Sequence, residues 1–543
     1  MPLIPPRFAR RAGLALAACA MAVAAAQQAA PATTRAITTS DLRARLEILA
    51  ADSLMGREAG SRGAWVASAI IADWFLRAGL QPAGDSGTYF QVVPVEIRRV
   101  DPAAAISVEG VPLVLWTDFV PVTGGRGLAI GPPRAVNRAT VVFGGTLGDT
   151  AHMIASAAGA GRVVVLAAPR APDGSRSPYY SRAAGLQRYP QASALAIVVL
   201  DIYPRRLLEA LRDGTPQAAR VAGAAPVPAA MLISEYAAGI LLGRPLWRAR
   251  PGDVGQTLRG SLGAGPMPAP YPARNVIAIL PGADPDHRHQ YVALSAHHDH
   301  IGFSHHPVDI DPLRRAPMGA PGAGRSTDST VPRRDSIYNG ADDDGSGTVA
   351  LVEIAEELAA APPRPSRSIL FVSHTAEEIG LVGSAWFAAH ATVPRDSIMA
   401  EIDLDMVGRG TAADVKGGGP SYLELVGSRR LSKEFGAITD SVAARQAPPF
   451  VINYAFDAPG HPDNDYCRAD HFSYARYGIP ALNMSRGEHL DYHEVTDEPQ
   501  YIDYDDLARV ARFAEDLAVT LADLDHPLVV DHPRPDPNAP CVQ

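Results

Sequence analysis

The sequence predicts an α/β fold: a mostly parallel mixed sheet flanked by helices, interrupted by an inserted β-rich module. Three observations predict it. After Arg274, short apolar runs alternate with helical stretches, the pattern of strands covered on both faces. From about Val100 to Gly260 the style changes to short β-rich runs separated by Gly-, Pro- and Ala-rich turns. The runs of the second part tend to end in acids or histidines, and open α/β sheets bind ligands beyond the carboxyl ends of their strands.

The first residues stand outside that fold. RFARRAGLALAACAMAVAAAQQ has a basic start, an apolar run from Ala12 to Ala26 and small residues before Gln27. This is a secretory signal pattern with cleavage after Ala26, and the run is too short to span a bilayer comfortably. LAAC, ending at Cys19, also fits a lipoprotein signal. Ordinary cleavage is favoured because the residues after Cys19 stay apolar. A periplasmic or secreted protein is expected, with no later membrane-spanning segment.

A first segment of the main domain, 37–99, holds two helices. DLRARLEILA places Leu42, Leu46 and Leu49 on one face, and AWVASAIIADWFLRAGL spaces Val66, Ile70 and Trp74 by four before Gly79 ends it. The module at 100–260 contains ATVVFGG, RVVVLAAP, LAIVVLDI and VPAAMLI as strands. It holds no cluster of histidine with acids, so it is expected to shape access to a site and to supply no metal ligands. The second segment, 272–525, has NVIAIL, QYVALSA, SILFVS, IMAEIDL, YLELVG and IPALNMS as strands, with helices at 347–360, 382–390 and 505–522. A polar insertion at 303–335 and a tail at 526–543 complete the chain.

Composition narrows the function. With 543 residues, two or three domains are expected. Apolar content of 47% and charged content of 20% are globular values. The net charge of −9, without a basic stripe or polybasic run, argues against nucleic acid and anionic membrane surfaces as partners. Cys467 and Cys541 are the only cysteines after the signal segment, and whether they pair is left open.

The chemistry-bearing residues follow the strands. ALSAHHDHIG brings His297, His298, Asp299 and His300; GADDDGSG brings Asp342, Asp343 and Asp344; TAEEIG brings Glu377 and Glu378. EIDLDMVG brings Asp403 and Asp405, and HLDYHEVTD brings His489, Asp491 and His493. Any one of these is more often a cap or a turn. Their recurrence at equivalent places in one sheet points to a shared pocket. Buried carboxylates stay charged together only beside cations, and imidazole with carboxylate suits zinc better than calcium. Three anionic ligands contribute −3 and two Zn²⁺ +4, and a hydroxide balances the remainder.

The order AHHDHIG, GADDDGSG, TAEEIGLVGS, LDMVG, YHEVTD resembles the secreted di-zinc aminopeptidases of peptidase clan MH, relatives of glutamate carboxypeptidase II. LAADSLMGREAGSRG and FLRAGLQPAGDSGTYFQ are similar to that family's N-terminal segment, and the β-rich insert resembles its protease-associated domain. The resemblance implies a phosphorylase/hydrolase-like zinc exopeptidase fold acting on peptide substrates. It implies two Zn²⁺ per chain: one on His297 and Asp405, the other on Glu378 and His493, with Asp343 bridging. Glu377 would be the general base, and Asp299, two residues after His297 on the same side of an extended chain, would orient its imidazole. A cis peptide after Asp343 is also implied. Asp342 and Asp344 would support the turn, and Asp470 and His471 would line or back the pocket. Tyr454 is a candidate oxyanion-stabilising hydroxyl. The alternatives are a carboxypeptidase, for which Arg468, Arg476 and Arg486 are available cations, a receptor-like binding protein, or a glutaminyl cyclase.

Overall fold

The computed structural model describes residues 33–543 apart from 123–134, 170–187, 220–227, 310–333 and the single positions 204, 361, 462 and 540. The expected signal segment with Cys19, and most of the 303–335 insertion, lie outside the described residues. The chain folds as two units, residues 95–269 and the two flanking stretches taken together.

The flanking stretches build a nine-stranded mixed sheet. Helix α1 (Thr39–Leu49) is started by Thr38, whose side chain accepts from Asp41 N, and buries Leu42, Leu46 and Leu49. Helix α2 (Arg62–Ala78) is capped by Ser61 and stopped by Gly79 at φ 82°. The strands are β1 (Ala273–Leu280), β2 (Tyr291–His297), β3 (Ser368–His374), β4 (Ile398–Leu404), β5 (Tyr422–Val426), β6 (Val451–Asn453) and β7 (Ala481–Ser485). Their spatial order is β1-β3-β2-β4-β7-β5-β6, with Gln81–Pro82 and Phe90–Val93 both paired to β1. β3, β2, β4 and β7 run parallel, while β1 and β5 join them antiparallel. The parallel centre is the sheet's chemical end: β2, β3 and β4 finish at His297, His374 and Leu404, just before the acid- and histidine-bearing turns.

Helices α3 (Gly347–Ala360), α4 (Val382–Ala389), α5 (Lys433–Arg445) and α6 (Tyr504–Ala522) cover the sheet. Helix α5 had no counterpart among the helices expected from sequence. α6 buries Leu507, Val510, Ala514, Leu517 and Leu521 in one core with α1, α2 and α3. Glu515 on the same helix is pushed up to about 8, by burial first and by Glu357 and Asp516 next. A carboxyl whose folded pKa is raised stabilises the fold below its unfolded value, near 4.3, and loses that contribution as pH rises towards about 8. Glu515→Gln, which does not ionise, is therefore expected to gain on the parent in urea midpoint between pH 5 and pH 9, with little difference at pH 5.

Residues 95–269 carry their own cores. An eight-stranded sheet has a parallel centre made of Ala135–Thr146, Val163–Ala167, Ala194–Val198 and Ala229–Ile233. A three-stranded sheet joins Thr215–Ala218, Val95–Val100 and Ala264–Pro268. Cys467 and Cys541 form a disulfide that ties the C-terminal tail to the loop before Asp470. Among the described residues no helix is long and apolar enough to cross a membrane.

Candidate metal centre

The turn Gly340–Gly347 is held by its own carboxylates and by one from elsewhere. Asp497 accepts from Asp342 N at 2.9 Å and from Asp343 N at 3.1 Å. Asp342 accepts from Gly408 N at 2.7 Å and faces His489 Nε2 at 3.1 Å. Asp344 accepts from His297 N and Gly347 N, both at 2.9 Å, and from Met406 N at 3.3 Å. Asp342 and Asp344 thus tie the turn to the ends of β2 and β4, leaving Asp343 to point elsewhere. The Asp343–Asp344 peptide is cis.

Arg57 anchors the same turn from below. It is 1% exposed and donates to four backbone carbonyls: His298, Leu49, Asn339 and Gly340. Each such bond from a charged donor contributes ~1.5–3 kcal/mol, and a buried acceptor left without a donor costs ~1–3 kcal/mol. Arg57→Met is expected to destabilise the fold by at least ~4 kcal/mol in urea unfolding, four buried acceptors losing their donor at ~1 kcal/mol or more each. Arg57→Lys should recover only a small part of that, because an ammonium does not reproduce the planar fork.

Two overlapping donor clusters converge above this turn: His297, Asp343 and Asp405 form one; His300, Asp343, Glu378 and His493 form the other. His297 Nε2 lies 3.3 Å from Asp343 Oδ1 and 3.7 Å from Asp405 Oδ1. His493 Nε2 lies 3.0 Å from Asp343 Oδ2 and 3.2 Å from Glu378 Oε1. One oxygen of Asp343 therefore faces each cluster. Burial pushes the Asp343 carboxyl up, but His297 and His493 outweigh it and hold the group well below the usual range. Glu377 Oε2 sits 4.0 Å from His297 Nε2, and Glu377 belongs to neither cluster.

The donor set fits a metal pair. His297 Nε2, Asp343 Oδ2 and Asp405 Oδ1 are buried atoms with no hydrogen-bond partner. Nitrogen and carboxylate oxygen in this proportion match zinc, and unpaired buried polar atoms on this scale are otherwise costly.

Asp299 differs from expectation. Its carboxylate stands 3.8 Å from His297 Nδ1, which is too far for a hydrogen bond. Nδ1 instead meets the Asp299 carbonyl at 3.1 Å, and Asp299 Oδ1 accepts from Glu377 N at 3.1 Å. The reason is local: β2 ends at His297, so the period-two alternation of an extended chain does not continue to Asp299. Burial pushes Asp299 up to about 6. Tyr454 is likewise engaged elsewhere, its hydroxyl donating to Asp440 at 2.5 Å. Asp470 and His471 are buried behind β4, with His471 N donating to Asp403. His300 and Asp497 join the site without having been assigned roles, although both lie inside motifs that the sequence singles out.

Residues 275–518 match the profile of peptidase family M28. Leucine aminopeptidase 1 of Paracoccidioides brasiliensis (strain Pb03) is 30% identical over 204 residues, 34% of this chain and 47% of that protein. Leucine aminopeptidase 1 of Trichophyton equinum is 25% identical over 260 residues, 46% of this chain and 58% of that protein. The chain thus spans about half the length of these relatives. The aminopeptidase from Aneurinibacillus sp. strain AM-1 superposes with a TM-score of 0.54 at 17% identity, covering 92% of this chain and 97% of its own. BSAP, a zinc aminopeptidase from Bacillus subtilis, superposes with a TM-score of 0.51 at 16% identity, covering 89% and 95%. At these identities the likeness is one of fold, and it agrees with the mixed α/β architecture. Profile and relatives point the same way: residues 275–518 match the model of peptidase family M28.

Proposed function

We propose that the chain is a di-zinc exopeptidase that removes N-terminal residues from peptides. The observation that carries the reading is Asp343, one oxygen of which faces each donor cluster, with the Glu377 carboxylate beside them. His297 and Asp405 would hold one Zn²⁺, Glu378 and His493 the other, and Asp343 both. Bound there, the ions would polarise a scissile carbonyl and make water acidic enough to attack at neutral pH.

The chain's own residues then divide the work. Glu377 takes the proton from the attacking water and returns it to the leaving amine. The bond from Glu377 N to Asp299 fixes the base's backbone, so its carboxylate stays next to His297 Nε2. Asp497 and Asp344 fix the turn on either side of Asp343. The Cys467–Cys541 disulfide supports an oxidising compartment, periplasmic or extracellular. Against the carboxypeptidase reading, Arg486 is buried, paired with Asp506 at 2.7 Å and donating to the carbonyls of Arg409 and Tyr422. Fully buried and tied to a fourth acceptor, Gly419 O, it is not presented to a substrate carboxylate.

The test uses one peptide in three forms: free, N-acetylated and C-terminally amidated. Mass spectrometry should show stepwise loss from the N-terminus of the free and amidated forms only. Equal trimming of the acetylated form would sink the aminopeptidase reading, and protection by amidation would favour the carboxypeptidase. Dialysis against a strong chelator should abolish cleavage, and zinc should restore it.

A further inference from the structure

We propose that His300 is itself a metal ligand, so that the His493 side of the centre carries four protein donors and the His297 side three. This inference rests on the di-zinc reading and adds a ligand to it.

The geometry carries it. His300 Nδ1 lies 2.8 Å from Glu378 Oε1 and 3.8 Å from Asp343 Oδ2. With the 3.0 and 3.2 Å separations that His493 Nε2 makes to the same two carboxylates, four donor atoms from four side chains surround one point. Four ligands at ~2.0–2.1 Å in a tetrahedron stand about 3.3 Å apart, and the observed separations bracket that value. The 2.8 Å approach lacks hydrogen-bond geometry, since Nδ1 is a buried atom without a hydrogen-bond partner. A donor simply steering Glu378 would aim its N–H at the oxygen.

The fold also places this ring deliberately. His300 N donates to Arg57 O, and its backbone bridges Glu58, so the position of the residue is set by the main chain. The imidazole lies against Gly340, where a Cβ would come within 2.5 Å of His300 Cγ. Only glycine at 340 leaves room for the ring beside the bridging turn.

The consequence is asymmetry. Four protein donors close a zinc site, whereas three leave a position open. The His300 side becomes the tightly held member of the pair. The His297–Asp405 side becomes the exchangeable one, where a substrate carbonyl enters.

The test reads ligation directly. Metal-free full-length protein is titrated with Co²⁺ and followed by proton NMR, in which coordinated imidazole N–H protons shift far outside the normal range. The expected result is that the first equivalent shifts two imidazole N–H signals, from His300 and His493, and the second adds one from His297. In both His300→Ala and His300→Gln one early signal disappears. The affinity of the first equivalent should drop by more than ~100-fold, beyond the ~10–100-fold typical of residues that only support a ligand. The second equivalent should keep its affinity. Two shifted signals in the fully loaded parent, unchanged in number in both variants, would overturn the ligand role. Absence of any bound Co²⁺ would overturn this inference together with the di-zinc reading.

Discussion

Glu377→Gln is expected to lower kcat by at least ~10²–10⁴-fold and to leave the proposed metals in place. Glutamine keeps the size of the side chain and a hydrogen-bonding oxygen but does not accept a proton. The bond to Asp299 comes from the backbone N of residue 377, so the substitution leaves it intact. Neither donor cluster includes Glu377, so no ligand is lost. Glu378→Gln is the contrasting variant. Its carboxylate lies 2.8 Å from His300 and 3.2 Å from His493, inside a cluster, and replacing an anionic ligand by a neutral amide weakens metal binding. Zinc per protein and kcat measured on both variants separate the roles. Loss of zinc from Glu377→Gln with retention in Glu378→Gln would mean that the roles are reversed. Full zinc and near-normal kcat in both would remove the pair from the site altogether.

The adjacent glutamates show how much of the site was legible. The strands that end in acids and histidines could be read because each is a short apolar run with an abrupt polar stop, and this pattern survives without any neighbour. The turn at 340–347 could be read because its three acids recur beside the other acid- and histidine-bearing motifs of the same segment. That Asp299 meets His297 through its carbonyl was not legible, because the strand's last paired residue is not marked in the sequence and alternation beyond it has no meaning. His300 was passed over because its role depends on three chain-distant partners and on the space above Gly340, none of which leaves a local pattern. Helix α5 escaped for a milder version of the same reason. Its buried face is Phe435, Gly436, Thr439, Val442 and Ala443, where small and polar residues dilute the apolar period.

Asp343→Asn is expected to abolish activity and to remove both metals, whereas Asp344→Asn is expected to damage the fold first. The two aspartates are neighbours and both buried. Their partners differ. Asp344 is occupied by three backbone N–H groups, from His297, Gly347 and Met406. An amide in its place turns one acceptor into a donor that confronts a backbone N–H, and a buried mismatch of that kind costs ~1–3 kcal/mol. The side chain of Asp343 meets histidines on both sides, while its own N–H is held by Asp497 regardless of the substitution. The Asp343→Asn protein would therefore keep the turn but lose the one anion shared by both clusters. The discriminating measurement is thermal unfolding with and without zinc. A parent saturated at 1,000 times Kd gains ~4 kcal/mol from one bound ligand, so its transition should rise clearly when zinc is added. The metal-free Asp343→Asn protein should unfold below the metal-free parent, because the pairing with His297 and His493 that keeps this carboxylate ionised is gone, and added zinc should not move it. Asp344→Asn should unfold earlier than the parent in both states yet still respond to zinc. A zinc-induced shift of parental size in Asp343→Asn would mean that Asp343 does not bridge, and the two-metal arrangement would have to be rebuilt around the other carboxylates.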